Sequence, residues 1–229
     1  MEFFNNSVFF GVMLSLLAYG IGALLKQKFK LAIFNPLLIS VIIVIAVLAV
    51  SGIDYKVYNE GAKYISYLLT PATICLAIPL DTVKPLLKSN WKAIAVGIFS
   101  GVLASLGSIL AMAVLFGFTH QEYVSFLPKS ITTAIGMGVS EELGGYVSIT
   151  VAIIVLTGVL GNMCAESVCK LFKIEEPIAK GIAIGTASHA IGTSKAMELG
   201  DIEGAMSSLS IVVSGLITVI GASVFAQFM

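Results

Sequence analysis

The chain has 229 residues, of which 58% are hydrophobic and only 11% are charged, and its mean hydropathy is +1.01. A soluble domain of this size could not bury so much apolar surface, so the composition predicts a polytopic membrane protein in a lipid bilayer. Formal net charge is zero and the lysines at 26, 28 and 30 form the main basic cluster, which argues against nucleic acid as a partner.

Four stretches contain no Asp, Glu, Lys or Arg, and each exceeds the roughly 20 residues that a helix needs to cross a bilayer. No positive region precedes the first stretch, which is also too long for a signal peptide, so we expect a retained first span. The four predicted spans are Phe3 to Leu25, Leu31 to Ile53, Ala93 to Phe118 and Ala205 to Met229.

The three cysteines, Cys75, Cys164 and Cys169, lie in or near apolar segments without the paired spacing of a zinc site or a disulfide framework. We interpret them as packing residues. The sequence predicts no metal site and no cofactor, and it predicts one membrane domain over residues 1–229.

Segments of mixed character lie between the predicted spans. In Tyr64 to Leu80, Pro71 and Pro79 each remove a backbone donor, which predicts an interrupted helix. In Pro128 to Leu160, Pro128 is suited to a first helical turn and the glycine pair at 144 and 145 to a stop. A further span is expected from Tyr146 toward Val168.

These elements predict an all-α polytopic membrane protein with about seven or eight membrane segments, some of them interrupted or re-entrant. An inverted repeat is one hypothesis, because the sequence from Lys92 resembles the sequence from Lys180. The corresponding repeat units would be residues 31–118 and 128–198.

The lysines raise a question of topology. Lysines 26, 28, 30, 84, 88 and 92 fit a single cytoplasmic face, with the amino terminus outside. Lys170, Lys173 and Lys180 join that face only if the segment from Pro128 to Gly144 is re-entrant rather than spanning. The sequence leaves both arrangements open.

The third mixed segment, Gly181 to Glu198, is unusually polar for a membrane helix. Helical spacing places small and polar residues on one face, which must meet protein or water rather than lipid. That face is either a substrate site or a close helix contact in which a neighbouring carbonyl satisfies the histidine. The residues concerned are Gly185, Thr186, Ser188, His189, Gly192, Thr193 and Ala196.

A helix that begins at Pro128 would direct unpaired backbone N–H groups and partial positive charge toward Lys129, Ser130, Thr132 and Thr133. These groups together would attract a carboxylate. The alternative is an interfacial helix start with a solvated lysine.

Other polar residues have two interpretations each. Glu141 and Glu142 either mark a solvated segment end or take up a proton or cation coupled to transport, a role that His189 shares as a candidate. Lys195 and Glu198 have the spacing of an ion pair, and Asn162 is expected to form an interhelical hydrogen bond.

Several motifs resemble the LrgB/CidB family of bacterial membrane proteins over almost the entire chain. They are LPKSITTAIGM from Leu127, ELGG from Glu142, GNMCAE from Gly161 and IGTASHAIGTSKAMELGDIEGAMSSLS from Ile184. The chain departs from the family pattern at Ala134, where a proline is usual, and at Lys180, where arginine is frequent.

The resemblance implies two functions. Family members are described as antiholin-like partners of small LrgA/CidA membrane proteins that affect murein hydrolase activity and autolysis, and relatives are associated with the transport of pyruvate, glycolate, lactate or glycerate. The polar, glycine-rich interrupted segments favour a monocarboxylate carrier, not an enzyme. The resemblance implies an LrgA-like partner and the bacterial inner membrane, and we expect a homo-oligomer.

Overall fold

The computed structural model describes residues 9–29 and 31–229, and every regular element in these ranges is a helix. The all-α prediction is therefore confirmed. Residues 3–8 of the first predicted span and the predicted cytoplasmic residue Lys30 lie outside the described residues. The chain divides into two compact units, the first ending at Cys75 and the second spanning Leu76–Met229.

The first unit differs from the prediction in its second span. Residues 31–53 do not form one long helix, because a 3₁₀ turn at Ala32–Phe34 precedes a helix of only 16 residues. Asn35 caps this helix by accepting hydrogen bonds from the next backbone N–H groups, and the following proline fixes its first turn. The helices of this unit are α1 (Phe10–Phe29), α2 (Pro36–Ser51), α3 (Tyr55–Ser66) and α4 (Leu69–Cys75).

Glycines in α1 allow its neighbours to approach closely. A methyl group at Gly11 would collide with the backbone of α3 at Tyr58, and one at Gly22 would lie 2.7 Å from the Pro36 carbonyl oxygen. The Ser15 hydroxyl lies 2.8 Å from the Tyr58 hydroxyl and adds a hydrogen bond to the contact between α1 and α3. These helices thus pack by close approach at small residues rather than by burying large apolar side chains.

The second unit contains long helices and two short ones between α6 and α9. The predicted interruption near Pro71 and Pro79 is confirmed, since α3, α4 and α5 are separate short helices. The helices of this unit are α5 (Ile78–Thr82), α6 (Lys84–Phe116), α7 (His120–Phe126), α8 (Thr133–Glu142), α9 (Val147–Leu171), α10 (Pro177–Leu199) and α11 (Asp201–Phe225), which continues as a 3₁₀ turn at Ala226–Phe228.

Among the described residues, four helical segments are long and apolar enough to cross a membrane: Phe10–Phe29, Lys84–Phe116, Val147–Leu171 and Asp201–Phe228. They include most of three of the four stretches predicted as spans, and the further span predicted from Tyr146. The protein is therefore a membrane protein.

Residues 120–142, named hairpin 1, fold back on themselves. Tyr146 N–H donates to Ser125 Oγ over 2.7 Å, and Thr150 Oγ1 lies 2.9 Å from Ser125 O and 2.7 Å from Ser140 Oγ. The end of the second arm therefore returns beside the first. The second arm, α8, has 10 residues and is about 15 Å long, half the thickness of a bilayer core.

The prediction of a helix starting at Pro128 is wrong. Residues 127–131 form turns, and α8 begins at Thr133. Proline has no N–H to continue α7 and its ring clashes with the preceding turn, so the first arm ends there. The predicted stop is confirmed, because α8 ends at Glu142 and Gly144 adopts a positive φ of 78°.

Residues 177–199, named hairpin 2, also reverse direction. His189 has φ 43° and ψ −144° within α10. The first arm passes Gly181 and Gly185 along α11 near Ser207, and the second arm returns to the same level, where Thr193 Oγ1 lies 2.7 Å from Ser207 Oγ. The interpretation of this segment as one continuous helical face is therefore corrected: it is two arms joined at His189.

The two hairpins enter the second unit from opposite ends. Hairpin 1 starts beside the end of α11, where Tyr123 Oη donates to Phe225 O over 2.9 Å. Both ends of hairpin 2 lie at the other end, around a cavity of about 290 Å³ lined by Lys170, Lys173, Lys180 and Leu199. Because α6 and α9 run in opposite directions, these lysines share a side with Lys84, which supports the re-entrant arrangement.

This topology predicts which side of the membrane each loop faces. In a background whose native cysteines are replaced by serine, we expect Gln121→Cys to react with a membrane-impermeant thiol reagent in intact cells. Glu175→Cys, which is equally exposed, should react only after permeabilisation. Labelling of both positions from the same side would show that hairpin 1 crosses the membrane.

Candidate functional site

The tip of hairpin 2 rests against a glycine surface of α9. His189 Nε2 donates to the Ile154 carbonyl over 2.9 Å. A methyl group at Gly158 would lie 2.7 Å from His189 Cε1, and one at Gly161 would collide with the Ser188 hydroxyl. These glycines leave the space that the reversed chain occupies, so α9 determines where the tip lies.

The polar residues predicted in this segment are buried, as expected for a face that avoids lipid. Thr186 Oγ1 donates to Ile182 O over 2.7 Å, and Thr193 Oγ1 donates to His189 O over 2.9 Å. These two hydroxyls thus hold the backbone on either side of the reversal. The buried members of the predicted set are Gly185, Thr186, Ser188, His189, Gly192, Thr193 and Ala196.

The tip of hairpin 1 carries the predicted anion-binding residues. Lys129 Nζ donates to Ser130 Oγ over 2.9 Å, and Ser130 Oγ lies 3.1 Å from the hydroxyl of Ser105 in α6. Thr132 occupies the N-cap of α8 without a hydrogen bond from its side chain to the helix, and Thr133 follows as a half-buried residue. The first N–H groups of α8 therefore begin beside Lys129 with no side-chain cap.

Ile154 connects the two tips. Its carbonyl accepts the hydrogen bond from His189, and its side chain fills the space against Gly136 of α8. Residues from the two opposed hairpins, predicted from separate parts of the sequence, therefore lie near one another midway along α9.

Lys129 differs from Lys195, another half-buried lysine of the hairpins. Lys195 Nζ lies 3.4 Å from Glu166 and 3.2 Å from Glu198, which confirms the predicted ion pair. No carboxylate among residues 9–29 and 31–229 lies within 4 Å of Lys129, and that side chain is only partly exposed. A positive charge at this depth lacks compensation from the described part of the chain.

The candidate coupling residues lie in different places. Glu141 and Glu142 are exposed at the far end of α8, so the structure does not bring them to His189. Asn162 Nδ2 donates to Ile191 O over 2.8 Å, which confirms the expected interhelical hydrogen bond. Within the described ranges, no three His, Cys, Asp or Glu side chains are grouped so as to hold a metal ion.

A groove of about 590 Å³ runs between α6 and the first arm of hairpin 2. Glu176 lies at the end of the groove that faces the lysine-rich side, which is the side of Lys170, Lys173 and Lys180. Gly97 and Gly101 line the α6 wall of the groove, and Thr186 marks its inner end. A methyl group at Gly101 would lie 2.8 Å from Thr186 Oγ1, so a larger residue there would close the groove.

Several residues that shape the site were not predicted from the sequence. Ser105, Gly158 and Gly161 define the surfaces that receive the two tips, and Thr150 and Ser207 each contact both arms of one hairpin. The sequence did indicate a close helix contact, because the three-residue spacing of Gly158 and Gly161 places both glycines on one helical face. It carries no information about which segment packs there.

Residues 15–228 match the LrgB-like family. The chain belongs to this family. The resemblance seen in the sequence motifs is thus confirmed, and it extends over both compact units.

Relatives cover nearly the same length. The chain is 36% identical over 222 residues to the antiholin-like protein LrgB of Bacillus subtilis (strain 168), with 96% of each chain covered. It is 37% identical over 221 residues to proteins of the same name from Bacillus mycoides (strain KBAB4) and Bacillus cereus (strain B4264), again with 96% of each chain covered. No solved structure matches the chain.

The close contact between α9 and hairpin 2 generates a stability prediction. Gly161→Ala should lower stability by about 2 kcal/mol, because the added methyl group overlaps Ser188 and overpacks a closely packed contact. Thermal unfolding in detergent measures this loss. Gly107→Ala is the matched control, since no neighbouring atom lies within 4 Å of its added methyl group; equal melting temperatures for the two variants would contradict the packing described.

Proposed function

We propose that this protein carries small monocarboxylates, such as pyruvate, lactate, glycolate or glycerate, across the membrane. The observation that carries the proposal is the position of Lys129. Its charge lies at the tip of a re-entrant hairpin, beside hydroxyl groups and without a carboxylate partner among the described residues. A transported carboxylate would supply the missing negative charge.

Hairpin 1 provides the groups that a carboxylate needs. Lys129 and Ser130 would donate to its oxygens, and Thr132, Thr133 and the first N–H groups of α8 would complete the contacts. Half-helices that end near the bilayer midplane bind anionic groups of substrates in other transporters. The same arrangement of a broken helix and a buried cation supports a carboxylate site here.

Hairpin 2 would close the site from the opposite side. We propose that Thr186, Ser188, His189, Gly192 and Thr193 shape this half of the site. The side chains of Thr186, His189 and Thr193 donate hydrogen bonds to backbone carbonyl groups of α9 and α10, so their first role is to hold the tip in place. Proton coupling by His189, Glu141 or Glu142 stays a prediction.

The groove beside α6 would be the access path from the lysine-rich side. It is lined mainly by small residues and ends at Thr186, next to the tip of hairpin 2. Opening and closing of such paths on alternate sides of a fixed site is the mechanism of alternating access. The re-entrant hairpins give this mechanism two gates.

The setting of the carrier is part of the proposal. We expect a homo-oligomer in the bacterial inner membrane, associated with a small LrgA/CidA-like membrane protein. The protein would have no enzymatic activity and would need no cofactor. An effect on autolysis would then arise indirectly, through altered metabolite or proton balance.

A second candidate function is favoured by the names of the relatives, which are called antiholin-like. In that case the protein would regulate murein hydrolase activity through contacts with its partner and would transport nothing itself. Regulation through partner contacts does not require a lysine that lies between two hairpins without a carboxylate partner among the described residues. Its function would survive His189→Ala and would be lost when partner contacts are disrupted.

Transport in reconstituted vesicles separates the two functions. Purified protein, alone and with its LrgA-like partner, should move labelled pyruvate, lactate or glycolate under a proton or sodium gradient. No movement of any of these substrates under any gradient would refute the carrier.

Substitutions then test the site. Lys129→Met should lower transport at least about tenfold, because a charge-assisted hydrogen bond contributes roughly 1.5–3 kcal/mol. Thr133→Val and His189→Ala should each weaken substrate binding while the oligomer stays folded. The control is Lys195→Met, which removes a lysine whose carboxylate partners already neutralise it; the same loss in this variant would refute a specific role of Lys129.

A further inference from the structure

The two hairpins share a sequence pattern that differs from the pairing at Lys92 and Lys180. Residues 134–144, AIGMGVSEELG, align without a gap with residues 190–200, AIGTSKAMELG. Both segments begin with Ala-Ile-Gly and end with Glu-Leu-Gly. Each forms the second arm of a hairpin and the turn that follows it.

The match continues into the span after each hairpin. Residues 154–158, IVLTG, correspond to residues 211–215, IVVSG, once one residue is inserted in the turn. The first of these segments lies in α9 and the second in α11. Two copies of a hairpin followed by a span therefore cover residues 120–171 and 177–228.

Equivalent residues of the two spans contact both arms of their own hairpins, although the second-arm positions differ: Ser140 corresponds to Ala196, and Thr193 to Met137. Thr150 and Ser207 occupy the same position in the two spans, and each contacts both arms of its own hairpin. Thr150 lies within hydrogen-bond distance of Ser125 and Ser140. Ser207 lies 2.7 Å from Thr193 and packs against Gly181, which is the equivalent of Ser125. The repeat is therefore present in the folded contacts as well as in the sequence.

The copies have opposite orientations, because hairpin 1 enters at one end of the second unit and hairpin 2 at the other. By contrast, the segment that begins at Lys92 lies within the unbroken helix α6, whereas its partner from Lys180 includes the reversal at His189. Only the pairing of the hairpins joins segments with the same structure. Inverted pairs of this kind underlie alternating access in several transporter folds.

One pair of equivalent glycines makes unequal contacts. A methyl group at Gly158 would lie 2.9 Å from Ile191 Cβ and 2.7 Å from the His189 ring, so hairpin 2 is closely seated on α9. The equivalent Gly215 in α11 faces Ile135, the equivalent of Ile191. There a methyl group would meet only Ile135 Cδ1, at an ordinary 3.4 Å. The second arm of hairpin 1 thus leaves room beside Gly215, although the first arm packs against the far end of α11.

We propose that the two copies exchange these contacts during transport. In the structure described here hairpin 2 is seated on Gly158, and in the opposite-facing state hairpin 1 is seated on Gly215 while hairpin 2 withdraws from Gly158. This inference rests on the carrier function proposed above. It explains why α11 has a glycine where the present contacts would accept alanine.

Disulfide trapping tests the exchange without a substrate. In a background without native cysteines, the pair Gly158→Cys and Ile191→Cys represents the present state, and the pair Gly215→Cys and Ile135→Cys represents the exchanged state. Disulfides need Cβ atoms about 3.5–4.5 Å apart, so the first pair, with Cβ atoms 2.9 Å apart, requires hairpin 2 to shift by about 1 Å. We expect each pair to form a disulfide in membranes, and we expect a variant with all four cysteines to form only one disulfide in any molecule, as measured by mass spectrometry.

Two outcomes of the trapping experiment would overturn the exchange. One is formation of the first disulfide without the second, and the other is both disulfides in one molecule. If trapping succeeds but wild-type protein transports no carboxylate, the carrier function is refuted while the exchange of contacts stands. The two inferences can therefore fail separately.

A glycine substitution supplies the kinetic test. Gly215→Ala should leave the melting temperature unchanged, because the present structure has room for the methyl group, but it should slow transport at least tenfold by obstructing the exchanged state. Gly107→Ala, whose methyl group also meets no obstacle, should transport at the wild-type rate. Wild-type transport by Gly215→Ala would overturn the proposal.

Discussion

The reversal of the chain at His189 is the constraint on which the second unit depends. A backbone that turns back inside a membrane exposes polar groups, and it is tolerated only where protein or water covers them. Here α9 covers the tip through two glycines and the Ile154 carbonyl, while α11 covers both arms. The contacts that α9 and α11 make with hairpin 2 meet that requirement.

The sequence predicted the apolar helices because a long run without charges has few other interpretations. It also predicted that the polar face around His189 would be buried. It could not predict the reversal, because two stacked arms bury small residues with the same spacing as one straight helix. The residues at the tip, Ser188, His189 and Ala190, include no glycine or proline that would indicate a turn.

The error at Pro128 has a different origin. Proline is compatible with both the first turn of a helix and the end of the preceding one. The choice depends on whether the preceding residues are already helical, and here α7 is packed against α6 and α11 by its apolar side chains. The candidate residues were thus identified from residue type, whereas their proximity to hairpin 2 came only from tertiary structure.

Family membership and geometry address different questions. The relatives share a name that describes an effect on lysis, and that name gives no chemical step. The geometry concerns what the protein could bind: two opposed tips, a half-buried Lys129 without a carboxylate partner among the described residues, and a groove of small residues. A carrier and an influence on lysis are compatible, since a cell envelope responds to the solutes and protons that cross it.

Thr150 and Ser207 also limit how the hairpins can move. The Thr150 hydroxyl bonds to both arms of hairpin 1, whereas the Ser207 hydroxyl bonds to the second arm of hairpin 2 and its backbone packs against the first arm. Moving either hairpin away from its span would leave buried polar groups unpaired. Each hairpin therefore unfolds or moves together with the span that follows it, as a single cooperative body. The flexible joints of the molecule are then the short loops between these bodies, such as residues 172–176, and not the tips that hold the site.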